Sequence, residues 1–257
     1  MTRLDHRVAI VTGAAEGLGK GIAEALIQAG ADVGLLDRNV EVGRETTAEL
    51  SRAANADCVF AACDISREEQ VIEAVEHVAN MLGPPTILVN NAGIFIFKGV
   101  DATVEEWQEI MSVNIMGPAL VTKHVVAHMR RAGGGSIVNI GSVSAFIAQK
   151  GFLTYSATKA AVVEMTRCMA LDLAEDHIRA NSVSPGAVWS AAMQRAAQEL
   201  SLTREAAARE PNFGVEQIIQ RSADPIEIGR AVVFLASDDA SFITGANLPA
   251  DGGWTAV

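Results

Sequence analysis

Short apolar runs alternate with longer stretches of helical spacing along the whole chain, and this alternation limits the fold more than any other feature. Val8–Val11, Ala31–Leu36, Cys58–Cys63, Ile87–Val89, Ile137–Ile140 and Ala180–Val183 are the strand-like runs. Most are apolar at consecutive residues, the pattern of strands covered on both faces. Between them, Ile22, Leu26 and Ile27 make one helical stripe, and Val71, Ile72, Val75 and Val78 another. Ser66 with Glu69 and Thr103 with Glu106 fit capping boxes, and Asp224-Pro225 fits an N-cap followed by proline at the first helical position. Strand–helix alternation of this kind predicts an α/β fold, a parallel sheet with helices on both faces. No repeat and no low-complexity linker interrupts it, so residues 1–257 read as one domain.

Composition narrows the class. With 49% hydrophobic and 20% charged residues the chain can bury a large core, which excludes disorder. Three cysteines, Cys58, Cys63 and Cys168, form no C-x-x-C and are odd in number, as for reduced thiols packed as small hydrophobes. A net charge of −11 repels phosphate backbones, so nucleic acid is not an expected partner. The polar start Met1–Arg7 does not read as a signal peptide. No window looks apolar over the roughly 20 residues of a membrane span. The expectation is a cytoplasmic protein that works away from membranes.

One segment breaks the rhythm. Residues 187–224 carry no strand pattern, while Met193, Ala197 and Leu200 recur at helical spacing. An insertion of this length after a strand is a candidate lid over a site.

Chemistry enters at the first β–α turn. Thr12-Gly13-Ala14-Ala15-Glu16-Gly17-Leu18-Gly19 follows a buried run and opens a helix. Glycines there let backbone N–H groups approach a pyrophosphate, and the helix N-terminus adds partial positive charge. The second strand ends at Asp37, 18 residues after Gly19, where an acid is expected to bind the adenosine ribose hydroxyls. A 2′-phosphate there would meet Asp37 and also Glu16, so both acids point to NAD. Arg38 points the other way. Later, the only tyrosine, Tyr155, stands four residues before Lys159. On a helix the two share a face, and an ammonium beside a phenol lowers the phenol pKa.

In order along the chain, the Thr12–Gly19 loop, Asp64, Asn90-Asn91-Ala92-Gly93, Asn114, Ser142 13 residues before Tyr155, Tyr155 with Lys159, Pro185-Gly186 and Asp251-Gly252-Gly253 resemble the motifs of the short-chain dehydrogenase/reductase family. The resemblance covers essentially the whole chain. It implies a doubly wound Rossmann-like domain whose seven parallel strands run 3-2-1-4-5-6-7, the seventh near Asn247–Ala250.

It also implies roles. Tyr155 is the general acid/base, Ser142 binds the substrate oxygen, and Lys159 holds the nicotinamide ribose and tunes Tyr155. Asn114 holds a relay water. Gly13, Glu16, Gly17, Leu18 and Gly19 form the cofactor loop. Asp37 reads the ribose, and Asp64 with Ile65 the adenine. Asn90, Ala92 and Gly93 line the cleft; Pro185, Gly186, Val188 and Ser190 meet the nicotinamide side, with Ser190 where the family often has threonine. A homotetramer is implied, one interface pairing helices near residues 103–131 and 152–175 and another using the C-terminal strand region, with Val121, Val125, Met129, Val162, Met165 and Met169 as compatible apolar faces.

Ile94, Phe95, Ile96, Phe97, Phe146, Ile147, Phe152, Trp189 and Met193 make the expected substrate pocket mostly apolar, with Ser144, Gln149 and Lys150 as polar contacts. The expected function is hydride transfer between NAD and a secondary alcohol or ketone with substantial apolar surface. The alternatives are an NADPH-dependent 3-oxoacyl-carrier-protein reductase, whose Asn/Gln pattern before the tyrosine is only partly present, and a non-catalytic nucleotide-binding regulator. His124 and His128 share a helix face without a third ligand, so no metal is expected, and both read as helix-surface or subunit-contact residues.

Overall fold

The structure, a computed structural model, describes residues 4–53 and 57–256. Strands β1 (Val8–Thr12), β2 (Asp32–Asp37), β3 (Cys58–Ala62), β4 (Ile87–Asn90), β5 (Gly135–Ile140), β6 (Ile178–Pro185) and β7 (Asn247–Ala250) form one sheet in the order 3-2-1-4-5-6-7. Every pairing is parallel. The chain order reverses between β1 and β4, which opens a crevice at the carboxyl ends of these two strands.

Helices cover both faces. Helices α1 (Gly17–Gln28) and α2 (Val40–Ala53) lie with α9 (Pro225–Ala236) over one face. The other carries α3 (Glu68–Leu82), α5 (Gly117–Ala132) and α6 (Leu153–Asp172). Side chains of β1 show why its run is apolar throughout. Ala9 and Val11 enter the first core, and Val8 and Ile10 the second. A short α4 (Val104–Met111) joins α5 through a π-helical turn, Ser112–Met116.

Some local expectations hold and others change. Thr103 caps α4 as a full capping box with Glu106. Asp224 precedes Pro225 at the start of α9, and its N–H is held by Glu227 at 2.8 Å. Ser66 caps nothing: its hydroxyl donates to Asp64 at 2.7 Å, and α3 begins after Arg67. Ile72 is exposed, outside the stripe of Val71, Val75 and Val78, and Cys168 is exposed rather than packed.

Val121, Val125 and Met129 are fully buried in the protomer's own core, and Val162 is buried too, so these are not free faces for a partner. The continuous helical rod Val104–Ala132 is, contrary to expectation, long and apolar enough to cross a membrane by length and composition. It lies against α3, α6 and the sheet, which accounts for its apolar side.

The excursion after β6 carries α7 (Ala191–Glu199) and α8 (Arg204–Ala207). It leaves and returns at one point: Val188 and Ala223 form a parallel bridge, Trp189 N–H donates to Ala223 O at 2.8 Å, and Ala223 N–H donates to Ala187 O at 2.9 Å. Ala197, Ala207 and Phe213 give it a small core of its own.

Candidate active site

The crevice at the strand reversal is a cavity of about 740 Å³, lined by the Gly13–Gly19 loop, Asp37–Asn39, Cys63–Ile65, Asn91–Ile96, Ile140–Ser142, Tyr155, Lys159 and the chain from Pro185 to Arg195. Its floor is built by a strand-end threonine. Thr12 Oγ1 accepts the N–H groups of Asn91 and Ala92, each at 3.0 Å, which fixes the β4 end against the β1 end. Asn91 Nδ2 then donates to Thr12 O at 2.9 Å and Gly13 O at 3.1 Å.

The loop leaves no room for side chains. A Cβ on Gly19 would stand 2.0 Å from Gly13 O, and one on Gly13, which has φ +64°, 2.8 Å from Ala92 Cα. The N-cap of α1, Glu16, makes no side-chain capping bond, and the first turn carries no acid. Its open N–H groups and the helix dipole therefore face the cavity as an anion cradle. Asp37 stands beside it, accepting the N–H groups of Ala15 (Oδ2, 3.0 Å) and Asn39 (Oδ1, 2.9 Å). Asp64 is held below the usual carboxylate range, chiefly by the Ser66 hydroxyl, and stays charged. A cradle for phosphates, a carboxylate for ribose hydroxyls and a crevice at the topological switch point fit a nicotinamide dinucleotide.

Tyr155 and Lys159 stand one turn apart on α6, both buried, and Ser142 is brought to them from the end of β5. Ser142 stands close enough to the Tyr155 hydroxyl to act on its titration. Ser144 N–H donates to Ser142 Oγ at 3.1 Å, which fixes that oxygen. Lys159 Nζ donates to Ile140 O at 2.8 Å and lies 5.7 Å from the Tyr155 ring centre. The expected lowering of the phenol does not appear. Burial pushes Tyr155 up to about 12, against the smaller downward effect of Ser142, and pushes Lys159 down to about 8.

Phe95 and Phe97 pack on Tyr155 with ring centres 5.3 and 5.4 Å away, and Phe152 stacks on Phe97 at 4.3 Å. One side of the hydroxyl is thus walled by aromatic carbon.

Gly13, Glu16, Gly17, Leu18, Gly19, Asp37, Asp64, Ile65, Ala92, Gly93, Ile94, Ser142, Tyr155, Lys159, Pro185, Gly186, Val188, Ser190 and Met193 all line the cavity. Ten expected residues do not: Phe97, Phe146, Ile147, Lys150 and Phe152 lie outside its lining, and five more are held elsewhere. Asn90 is buried behind it, donating to Thr122 at 3.0 Å and Asn139 at 2.8 Å. Asn114 lies behind Gly93, where Oδ1 accepts Ile94 N–H at 2.8 Å and Nδ2 donates to Ile94 O at 3.0 Å. Trp189 turns into the excursion's own core, and its ring carries Arg204 at 5.4 Å. Ser144 donates to Gln149 at 2.8 Å, and Gln149 donates to Asn212 at 2.9 Å, so both tie the excursion to the site's edge.

Among the lining residues that sequence reasoning missed are Asn91 and Arg195. Asn91 is adjacent in its motif and could have been found by it. Arg195 could not: it meets Glu16 across 179 residues of chain. The histidine pair reads as structural. His124 Nε2 lies 2.9 Å from Glu68, and buried His128 lies 2.9 Å from Glu76, pinning α5 to α3. Burial makes His128 an interior residue, not the expected surface one.

Residues 13–255 match a family model, adh_short_C2, described as enoyl-(acyl carrier protein) reductase. The cyclopentanol dehydrogenase of Comamonas sp. (strain NCIMB 9872) is 37% identical over 257 residues, 100% of both chains. Two solved structures are also similar. The L-sorbose reductase from Gluconobacter frateurii, complexed with NADPH and L-sorbose, has a TM-score of 0.93 at 28% identity, covering 100% of this chain and 99% of that one. A 7α-hydroxysteroid dehydrogenase complexed with NADH and 7-oxo glycochenodeoxycholic acid has a TM-score of 0.89 at 31% identity, covering 98% and 95%.

Proposed function

The chain belongs to the short-chain dehydrogenase/reductase family, oxidoreductases of alcohols and ketones, and from that premise we propose that it moves a hydride between NAD(H) and a secondary alcohol or ketone of substantial apolar surface. The observation that carries the reading is Tyr155, buried next to Ser142 and Lys159 under an aromatic wall.

A bound nicotinamide supplies the hydride acceptor or donor. The chain's own residues do the rest. Ser142 holds the substrate oxygen, its own oxygen steadied by the Ser144 N–H. Tyr155 takes the hydroxyl proton in oxidation and returns it in reduction. Lys159 holds the nicotinamide ribose beside Tyr155. Asn114 braces Ile94 and Gly93, with a relay water behind Lys159. Asp37 reads the adenosine ribose, which supports NAD.

Ile94, Phe95 and Ile96 present apolar surface to the substrate, and a relative named for cyclopentanol supports an alcohol of that character. Residues 187–224 act as the lid, and the working form is a cytoplasmic homotetramer.

The test is a panel of secondary alcohols, diols, sugar alcohols and hydroxyacyl thioesters, each with NAD and NADP, read by nicotinamide absorbance. Turnover of alicyclic and other apolar alcohols with NAD is expected. Turnover confined to NADP and thioesters would replace the reading with a carrier-protein reductase.

A further inference from the structure

The geometry points to Arg195, on helix α7 of the excursion, as a residue that sets the choice between NAD and NADP by neutralising Glu16 at the adenosine end of the cleft. The inference rests on the nicotinamide-dependent reading and deepens it.

Glu16 follows Ala15, whose N–H is bonded to Asp37. Glu16 is thus one residue along from the backbone group that Asp37 binds, and Glu16, Asp37 and Arg38 all line the cavity. Taken alone, two acids there oppose a 2′-phosphate on the ribose. Arg195 changes that balance. Its Nη2 lies 3.1 Å from Glu16 Oε1 and its Nη1 3.3 Å from Oε2, a forked pair in which both partners line the cleft.

The fork is set by the fold. The start of α7 abuts the loop so closely that a Cβ on Gly17 would stand 3.4 Å from Ala191 N. The bridge between Val188 and Ala223 holds the root of the excursion in place.

Both side chains are more than half or about half exposed, 59% and 50%, so the pair adds little to stability. Its effect falls on a third charge. A nearby phosphate dianion meets a neutral pair when Arg195 is present and a lone carboxylate when it is not. Discrimination against NADP then rests on Asp37, and Glu16 is held silent by a residue from the excursion. At the dielectric of water, which these exposed side chains meet, one unit charge against a dianion about 6–10 Å away changes an equilibrium constant roughly three- to tenfold.

The test is a binding cycle that needs no substrate. Dissociation constants of NAD+ and NADP+ are measured by calorimetry at low salt for wild type, Arg195→Met, Glu16→Gln and the double variant. The readout is the NADP-to-NAD ratio of dissociation constants, which cancels any effect on folding or closure shared by the two nucleotides. Arg195→Met should raise the ratio about three- to tenfold by unmasking Glu16. Glu16→Gln should lower it by a similar factor by freeing a cation. The double variant should return to within about twofold of wild type, and at high salt both single shifts should shrink.

Where NADP+ binding is too weak to titrate, the same cycle in the Asp37→Ala background gives the ratio. Single variants that leave the ratio unmoved, that move it in the same direction, or whose shifts persist undiminished in high salt overturn the inference. Wild type that binds neither dinucleotide overturns the dehydrogenase reading itself.

Discussion

At the scale of the residue, the proposed catalytic pair, Tyr155 and Lys159, is governed by burial more than by mutual charge. Tyr155 sits near 12 because its phenolate would be stranded in a dry pocket, so through the neutral range it holds its proton and is ready to act as an acid. Reduction needs that proton and should be level from pH 6 to 8. Oxidation needs the phenolate, so its kcat/KM should climb about tenfold per pH unit from neutrality. Lys159, pushed down to about 8 by burial, favours the phenolate only while charged. The climb should therefore flatten above about pH 8. A pH–rate profile in both directions checks this, and a flat oxidation limb would contradict it. Tyr155→Phe should lower kcat by about 10²–10⁴ while NAD binding, measured by calorimetry, persists. A variant with near-normal kcat would remove Tyr155 from its role. These residues were legible in the sequence because their spacing is local: Tyr155 and Lys159 are one helical turn apart whatever surrounds them.

At the scale of the element, the excursion between β6 and α9 is clasped by a buried amide in addition to its Val188–Ala223 bridge. Gln217 is 4% exposed; its Oε1 accepts Ala187 N–H at 2.7 Å, and its Nε2 donates to Arg221 O. It clasps the return of the excursion to the Pro185–Ala187 turn that lines the cleft. Gln217→Leu should leave the Ala187 N–H and the Arg221 carbonyl unpaired, at a cost of about 1–3 kcal/mol. Limited proteolysis should then cut within residues 187–224 faster, with KM for the dinucleotide rising while the global melting temperature falls little. Unchanged protection of the excursion would show that Gln217 is not its clasp. Helical spacing at Met193, Ala197 and Leu200 anticipated a helix there, and α7 with Leu200 at its C-cap meets it. The inward turn of Trp189 was not legible, since its partner Arg204 and the little core around Phe213 arise only when the excursion folds on itself.

At the scale of the whole molecule, the proposed tetramer needs apolar surface that the protomer leaves open. The faces first expected, Val121, Val125 and Met129, are spent on the core. What remains exposed on the same rod and on α6 is Val104, Met111, Met116, Leu153 and Leu171, with Phe242 fully exposed just before β7. Sedimentation should give a species of four times the 27.0 kDa chain. Phe242→Asp should shift it to smaller species if that end of the sheet is an interface. A wild-type protein that sediments as a monomer at micromolar concentration would end the tetramer proposal.

The sequence by itself determined the sheet and the pairing of Tyr155 with Lys159 on one helix face, because apolar runs, glycine spacing and one helical turn are near-neighbour properties that survive any tertiary setting. Strand order also followed, through the resemblance its motifs carry. Only the tertiary structure decided the charges and the faces. It set Arg195 on Glu16, buried Asn90 behind the cleft, and raised Tyr155 where an adjacent lysine had promised the opposite. Those outcomes depend on desolvation and on contacts between residues far apart in the chain. Both exist only after the sheet has closed its two cores and the excursion has come back onto the phosphate loop.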